Sequence, residues 1–179
     1  AAQMENQLRA YLQRGHFQSL RFSIPSGLSS VRAMSFRALA PVEVRFRLGV
    51  MMMRINRAGE AKAFFDDANR IAPKSPLPAE GLGLLAAHQD DPKEAVRMLE
   101  TSIDRGSVSF RTHYAYAQEK YFLTQKKPDV FTRIDSAAEA AIESELVKAM
   151  RLRPDFAPAQ ELMGFLLMVQ GHRLDEAEQ

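Results

Sequence analysis

The sequence predicts an all-α solenoid of antiparallel helix pairs, preceded by an N-terminal helix and an irregular linker. Three observations predict it. A set of markers recurs with a period of 34 residues: Leu48, Gly49, Met52, Ala61, Phe65, Ala68 and Pro73 return as Leu82, Gly83, Ala86, Ala95, Leu99, Ser102 and Ser107. Within each copy, small and bulky positions alternate as closely crossing helices require. Pro73 and Gly106 then stand where a second helix must end, since proline lacks an N–H and glycine accepts a left-handed backbone. A fixed period of this length is the signature of stacked supersecondary units.

The first unit spans residues 42–75 and the second 76–109. Gly49, Gly83, Ala61 and Ala95 are small where the two helices of a unit cross. Leu48, Phe65 and Leu99 fill the space toward the next unit. Gly81 has no evident partner. The third unit, residues 110–156, is stretched. Its first helix reads Phe110 to Leu123, and its second closes on Ile142, Leu146, Ala149 and Pro154. The extra length falls near residues 124–136 and reads as a loop. Ser136 with Glu139 makes a capping-box pattern for the second helix. A fourth unit starts at Ala157, with Pro158 in the first turn and Met163-Gly164 in the Leu-Gly position. It is incomplete at residue 179, so a longer parent protein is expected.

The Leu-Gly…Ala…Phe…Ala…Pro spacing over residues 42–179 resembles the tetratricopeptide repeat (TPR). The resemblance implies a right-handed TPR-like α-solenoid and a binding or scaffolding role. It also implies that the second, fifth, ninth and twelfth positions of each unit face a concave groove. In this chain those positions are Glu43, Phe46, Val50 and Met53, then Leu77, Glu80, Leu84 and Ala87, then Arg111, Tyr114, Gln118 and Tyr121. The candidate groove set is Phe46, Val50, Met53, Glu80, Leu84, Arg111, Tyr114, Gln118 and Tyr121. It is apolar with aromatic anchors and a few charges, suited to an extended peptide or an apolar helix face. It lacks the Lys and Asn of carboxylate-clamp repeats, which disfavours a chaperone tail as partner. An apolar face of this kind is either used by a partner or covered, here by residues 16–41 or 124–136 of the chain itself.

Upstream, residues 1–15 read as a helix with Met4, Leu8, Tyr11 and Leu12 on one side, stopped by Gly15. Residues 16–41 read as an extended linker with a turn at Pro25-Ser26-Gly27. The stretch from Leu8 to Phe22, followed by repeats, resembles the junction in bacterial proteins that carry an upstream zinc-metallopeptidase-like domain. That implies an accessory repeat domain of a larger bacterial protein, with no catalysis in this chain, because the His-Glu-x-x-His helix is absent.

Charge and chemistry narrow the function. Formal net charge is +2, but residues 1–41 hold five arginines and one glutamate, and the rest hold 19 basic and 21 acidic residues. The arginines are spaced, without the dense basic face of a nucleic-acid binder. No cysteine is present, so no disulfide or cysteine metal site forms. No apolar run is long enough to span a membrane. The reading is a soluble protein, cytoplasmic or exported, that binds protein or peptide rather than nucleic acid or membrane. Self-association through the truncated C-terminal end is a further expectation.

No catalytic, cofactor or metal residue is assigned. His16, His88, His113 and His172 have no second ligand at metal spacing. Asp91, before Pro92, reads as a helix cap, and His113 as a packed interhelical residue. Asp66-Asp67 and Asp90-Asp91 are adjacent and do not share a helix face. The Gly81-Leu82-Gly83 stretch lacks the Lys-Ser/Thr of a phosphate loop. Ser29, Ser30 and Ser102 sit in no nucleophile motif. In the Met51-Met52-Met53 run, Met52 is a core position and Met53 the groove candidate.

Overall fold

A computed structural model describes residues 37–125 and 134–170. The chain divides at residue 39, and the helical unit that begins there is described by itself. Seven helices follow in order: α1 (Pro41–Arg54), α2 (Ala58–Ile71), α3 (Pro76–His88), α4 (Pro92–Asp104), α5 (Phe110–Thr124), α6 (Ser136–Leu152) and α7 (Ala157–Gln170). No strand occurs among the described residues. The N-terminal helix, most of the linker, the body of the 124–136 insertion and the second helix of the fourth unit lie outside them.

Local chemistry sets each helix start. Pro41, Pro76 and Pro92 occupy the first turns of α1, α3 and α4, where a missing N–H costs nothing. Ser75 caps α3 by accepting from the Leu77 N–H at 3.3 Å, and Asp91 caps α4 by accepting from Glu94 at 3.1 Å. Helix α1 starts at Pro41, one residue before the expected start of its unit. The Glu43 carboxylate there accepts the Ala40 N–H at 2.8 Å. Helix α6 starts at Ser136 as expected, but the cap is Asp135 instead of Ser136. Its carboxylate takes both the Ala137 and Ala138 N–H groups, at 3.1 and 3.0 Å, and a charged acceptor at a helix start outcompetes a hydroxyl.

The turns inside the first two units repeat the period as well. Asn56 and Asp90, 34 positions apart, both adopt a left-handed backbone with φ near 60°. Asn and Asp tolerate that region better than other side chains bearing a β-carbon.

Packing runs from neighbour to neighbour. Helices α1 and α2, α3 and α4, and α5 and α6 form antiparallel pairs, and α2 packs on α3, α4 on α5 and α6 on α7. The core is correspondingly split into three clusters, one around Ala61, Phe65 and Leu85, one around Ala95, Leu99 and Tyr116, and one around Ile142, Leu146 and Leu166. Leu99 sits against Gly83, where an added β-carbon would fall 2.6 Å from its Cγ. Gly81 acquires a role that its position in the sequence did not disclose. It is buried on α3 against the ring of Phe65 from α2, and Gly49 of α1 meets the same Cδ1–Cε1 edge of that ring.

The third pair adds a polar contact to its small residues, the fully buried Ala117 and Ala149. His113 on α5 is 5 % exposed and stands 2.5 Å, Nδ1 to Oε2, from Glu145 on α6. Its Nε2 faces the Ser107 carbonyl at 3.2 Å. Lys148 donates to the other Glu145 oxygen at 2.7 Å. At the far end, the buried Gln170 side chain donates to the Ile134 carbonyl at 3.2 Å, tying α7 to the entry of α6.

Candidate interaction groove

The first helices of the first three units, α1, α3 and α5, also contact one another in sequence order. They form a wall backed by α2 and α4, and along this wall runs a groove of about 500 Å³. Its apolar floor is made by Phe46, Val50 and Met53 from α1 and by Leu77 and Leu84 from α3. Phe46 is held from behind by Phe65, with ring centroids 6.0 Å apart, so the floor is continuous with the fully buried core.

Six of the nine expected groove residues come together here: Phe46, Val50, Met53, Glu80, Leu84 and Arg111, along with Glu43 and Leu77. Tyr114, Gln118 and Tyr121 lie farther along α5 and do not line it. Tyr114 packs edge-on against Phe156, with centroids 5.1 Å apart, and Tyr121 is buried edge-on against Phe165 of α7 at 5.7 Å. Tyr121 is thereby drawn into contact with the fourth unit, and Tyr114 with the last residue of its own. Burial raises both phenol pKa values above the ordinary tyrosine range. Ala87 faces the second core cluster instead of the groove.

The rim contains residues that the position rule misses. Arg47 and Arg54, seven apart on α1, flank the floor, and Arg111 completes the set from α5. Seven residues is two helical turns, so both α1 arginines stand on one stripe. The signal was present in that spacing, but a rule naming one line of positions per helix cannot describe a groove wider than one line.

Two acids also line the groove. Glu43 is engaged with the Ala40 N–H. Glu80 is 4 % exposed and accepts the Ser109 hydroxyl at 2.7 Å. Burial pushes its carboxyl above the usual range, against the opposing pull of the Ser109 and Thr112 hydroxyls and of Arg111. Among the described residues, no group of three or more His, Asp or Glu is placed to hold a metal ion, and no helix is long and apolar enough to cross a membrane.

No protein-family model matches this sequence, and no curated protein matches it. Solved structures do. The chain superposes on YrrB, described as a TPR protein with an unusual peptide-binding site, with a TM-score of 0.60 at 20 % identity over 74 % of this chain. It spans 61 % of YrrB. TTC0263, a thermophilic TPR protein of Thermus thermophilus, gives a TM-score of 0.57 at 21 % identity, covering 76 % of this chain and 69 % of that one. The first TPR of Spaghetti (RPAP3), solved with the HSP90 peptide SRMEEVD, gives 0.59 at 8 % identity, covering 73 % and 96 %. The fold is therefore the all-α solenoid of tetratricopeptide-repeat proteins. The residues that carry the metallopeptidase-like resemblance, Leu8 to Phe22, lie outside the described part of the chain.

Proposed function

We propose that this chain is a protein-interaction scaffold that takes an extended peptide or one face of a helix into the groove along α1, α3 and α5. The observation that carries the reading is the groove's floor: five apolar side chains, half-buried, are grouped on one wall and anchored to the core through Phe46 and Phe65. Contiguous apolar surface of this kind marks an interaction site, and a row of anchors along parallel helices suits alternate side chains of a bound segment. Two of the similar structures are described as peptide-binding or peptide-bound TPR proteins, which supports the same role.

The test is selection of a random short-peptide display library on the chain, followed by fluorescence anisotropy with the enriched peptides. Binding is expected, and it should weaken about tenfold or more, a loss of ~1.4 kcal/mol or greater, in a Met53→Glu/Leu77→Glu variant whose circular dichroism is unchanged. Enriched peptides that bind this variant as tightly as the original chain would place recognition elsewhere and overturn the groove.

A further inference from the structure

Resting on that reading, we infer that the segment recognised is acidic as well as apolar: hydrophobic anchors flanked by Asp or Glu that meet Arg47, Arg54 and Arg111. Most other arginines of the described residues are ion-paired, and Arg105 and Arg151, which pair with no described carboxylate, stand singly elsewhere. What sets Arg47, Arg54 and Arg111 apart is that all three gather around one apolar floor. Arg45 and Arg70 pair with Asp67, Arg57 with Glu60, Arg97 with Glu94 and Arg153 with Asp155. Arg47, Arg54 and Arg111 are exposed, and none has a carboxylate of the described residues within ion-pair distance.

The groove's own acids do not neutralise them. Glu43 is committed to the start of α1, and Glu80 is buried against Ser109. Arg111 lies near enough to Glu80 to favour its charged form, yet its contact is with the Phe110 ring, 5.6 Å from the guanidinium carbon. An apolar floor rimmed by unpaired guanidinium groups is complementary to carboxylates, which they bind in bidentate geometry. Such a field also speeds encounter with an acidic partner and rejects a basic one. The apolar floor and the small number of cations favour a peptide over nucleic acid, which demands a denser basic track.

The arrangement gives a spacing rule. Two helical turns separate Arg47 from Arg54 by about 10 Å. An extended segment covers that distance in roughly three residues, and a helix in about seven. The selected peptides should therefore carry paired acids at one of those separations, around at least one Leu, Ile, Phe or Met.

The same display library is selected in parallel on the original chain and on an Arg47→Gln/Arg54→Gln/Arg111→Gln variant, all three positions being exposed. The expected result is enrichment of acidic-apolar peptides on the original chain, binding that weakens as salt is raised, and apolar peptides without acid enrichment on the variant. Apolar or basic peptides from the original chain, or the same acids from both, would overturn the inference and leave the groove standing. Peptides indifferent to Met53→Glu/Leu77→Glu, or no enrichment over that variant, would remove the groove itself. Tighter binding of a labelled oligothymidylate than of any selected peptide would also overturn the proposal, in favour of nucleic acid.

Discussion

The ring of Phe65 lies against the backbone of Gly81 in the next repeat, so closely that a β-carbon on Gly81 would stand 2.3 Å from Cδ1. Phe65 is fully buried, with Gly49 against the same Cδ1–Cε1 edge of its ring. It has no room to retreat. Gly81→Ala should destabilise the fold by roughly 1–3 kcal/mol, the usual cost of overpacking a core, although alanine is the better helix former. Gly59→Ala is the control. No described atom lies within 4 Å of a β-carbon there, so its midpoint in urea should stay level or rise. Equal behaviour of the two variants would refute the wedge.

His113 and Glu145 supply the second prediction. Both ring nitrogens of His113 face acceptors, the Glu145 carboxylate and the Ser107 carbonyl. Glu145→Leu strands one buried nitrogen, with an expected cost of about 1–3 kcal/mol. His113→Leu/Glu145→Leu should recover part of that loss, since replacing both partners is milder than orphaning one. A double-mutant cycle by chemical denaturation reads the coupling, and strict additivity would mean that the pair does not interact.

The pH dependence of stability should carry a signature of Glu80. Burial raises its carboxyl pKa in the folded chain. Its contribution is then fully present below the ordinary glutamate pKa and is lost as pH rises through the folded value. Glu80→Gln removes that loss while leaving a side-chain oxygen for Ser109. The variant should therefore gain stability relative to the original chain between acidic and neutral pH. A constant difference between the two across that range would contradict the assignment.

Asp91 tests the reading of a helix cap directly. Its carboxylate accepts the Glu94 N–H at the start of α4. Asp91→Ala should cost about 1 kcal/mol and Asp91→Ser much less. Amide exchange in the first turn of α4 should accelerate in the alanine variant before the rest of the helix responds.

The 34-residue period made the helix pairs legible because it is a local pattern, written in glycine, alanine and proline at fixed intervals. The position rule that the TPR resemblance implies names Phe46, Val50 and Leu84, and these line one cavity in the structure. What escaped was decided by contacts across long separations. Glu145 is 32 positions from His113, with the stretched loop between them. Its trace in the sequence is a lone acid on the apolar face of Ile142, Leu146 and Ala149. Tyr121 occupies an inward position by count, yet Phe165 from the following unit covers it. Gly81 could be understood only once Phe65 was known to arrive from the preceding pair.

The division of the core into neighbouring clusters has a consequence for how such a protein can change over generations. A unit whose side chains touch only the units on either side can be copied within its own gene without redrawing a shared interior. An in-frame duplication of residues 76–109, inserted after Ser109, would set Leu99 of the first copy beneath the start of the second. It would lengthen the wall by one helix, with another Leu77, Glu80 and Leu84. The wall along α1, α3 and α5 would thus grow by inheritance of a segment that already stacks on its neighbours in this fold.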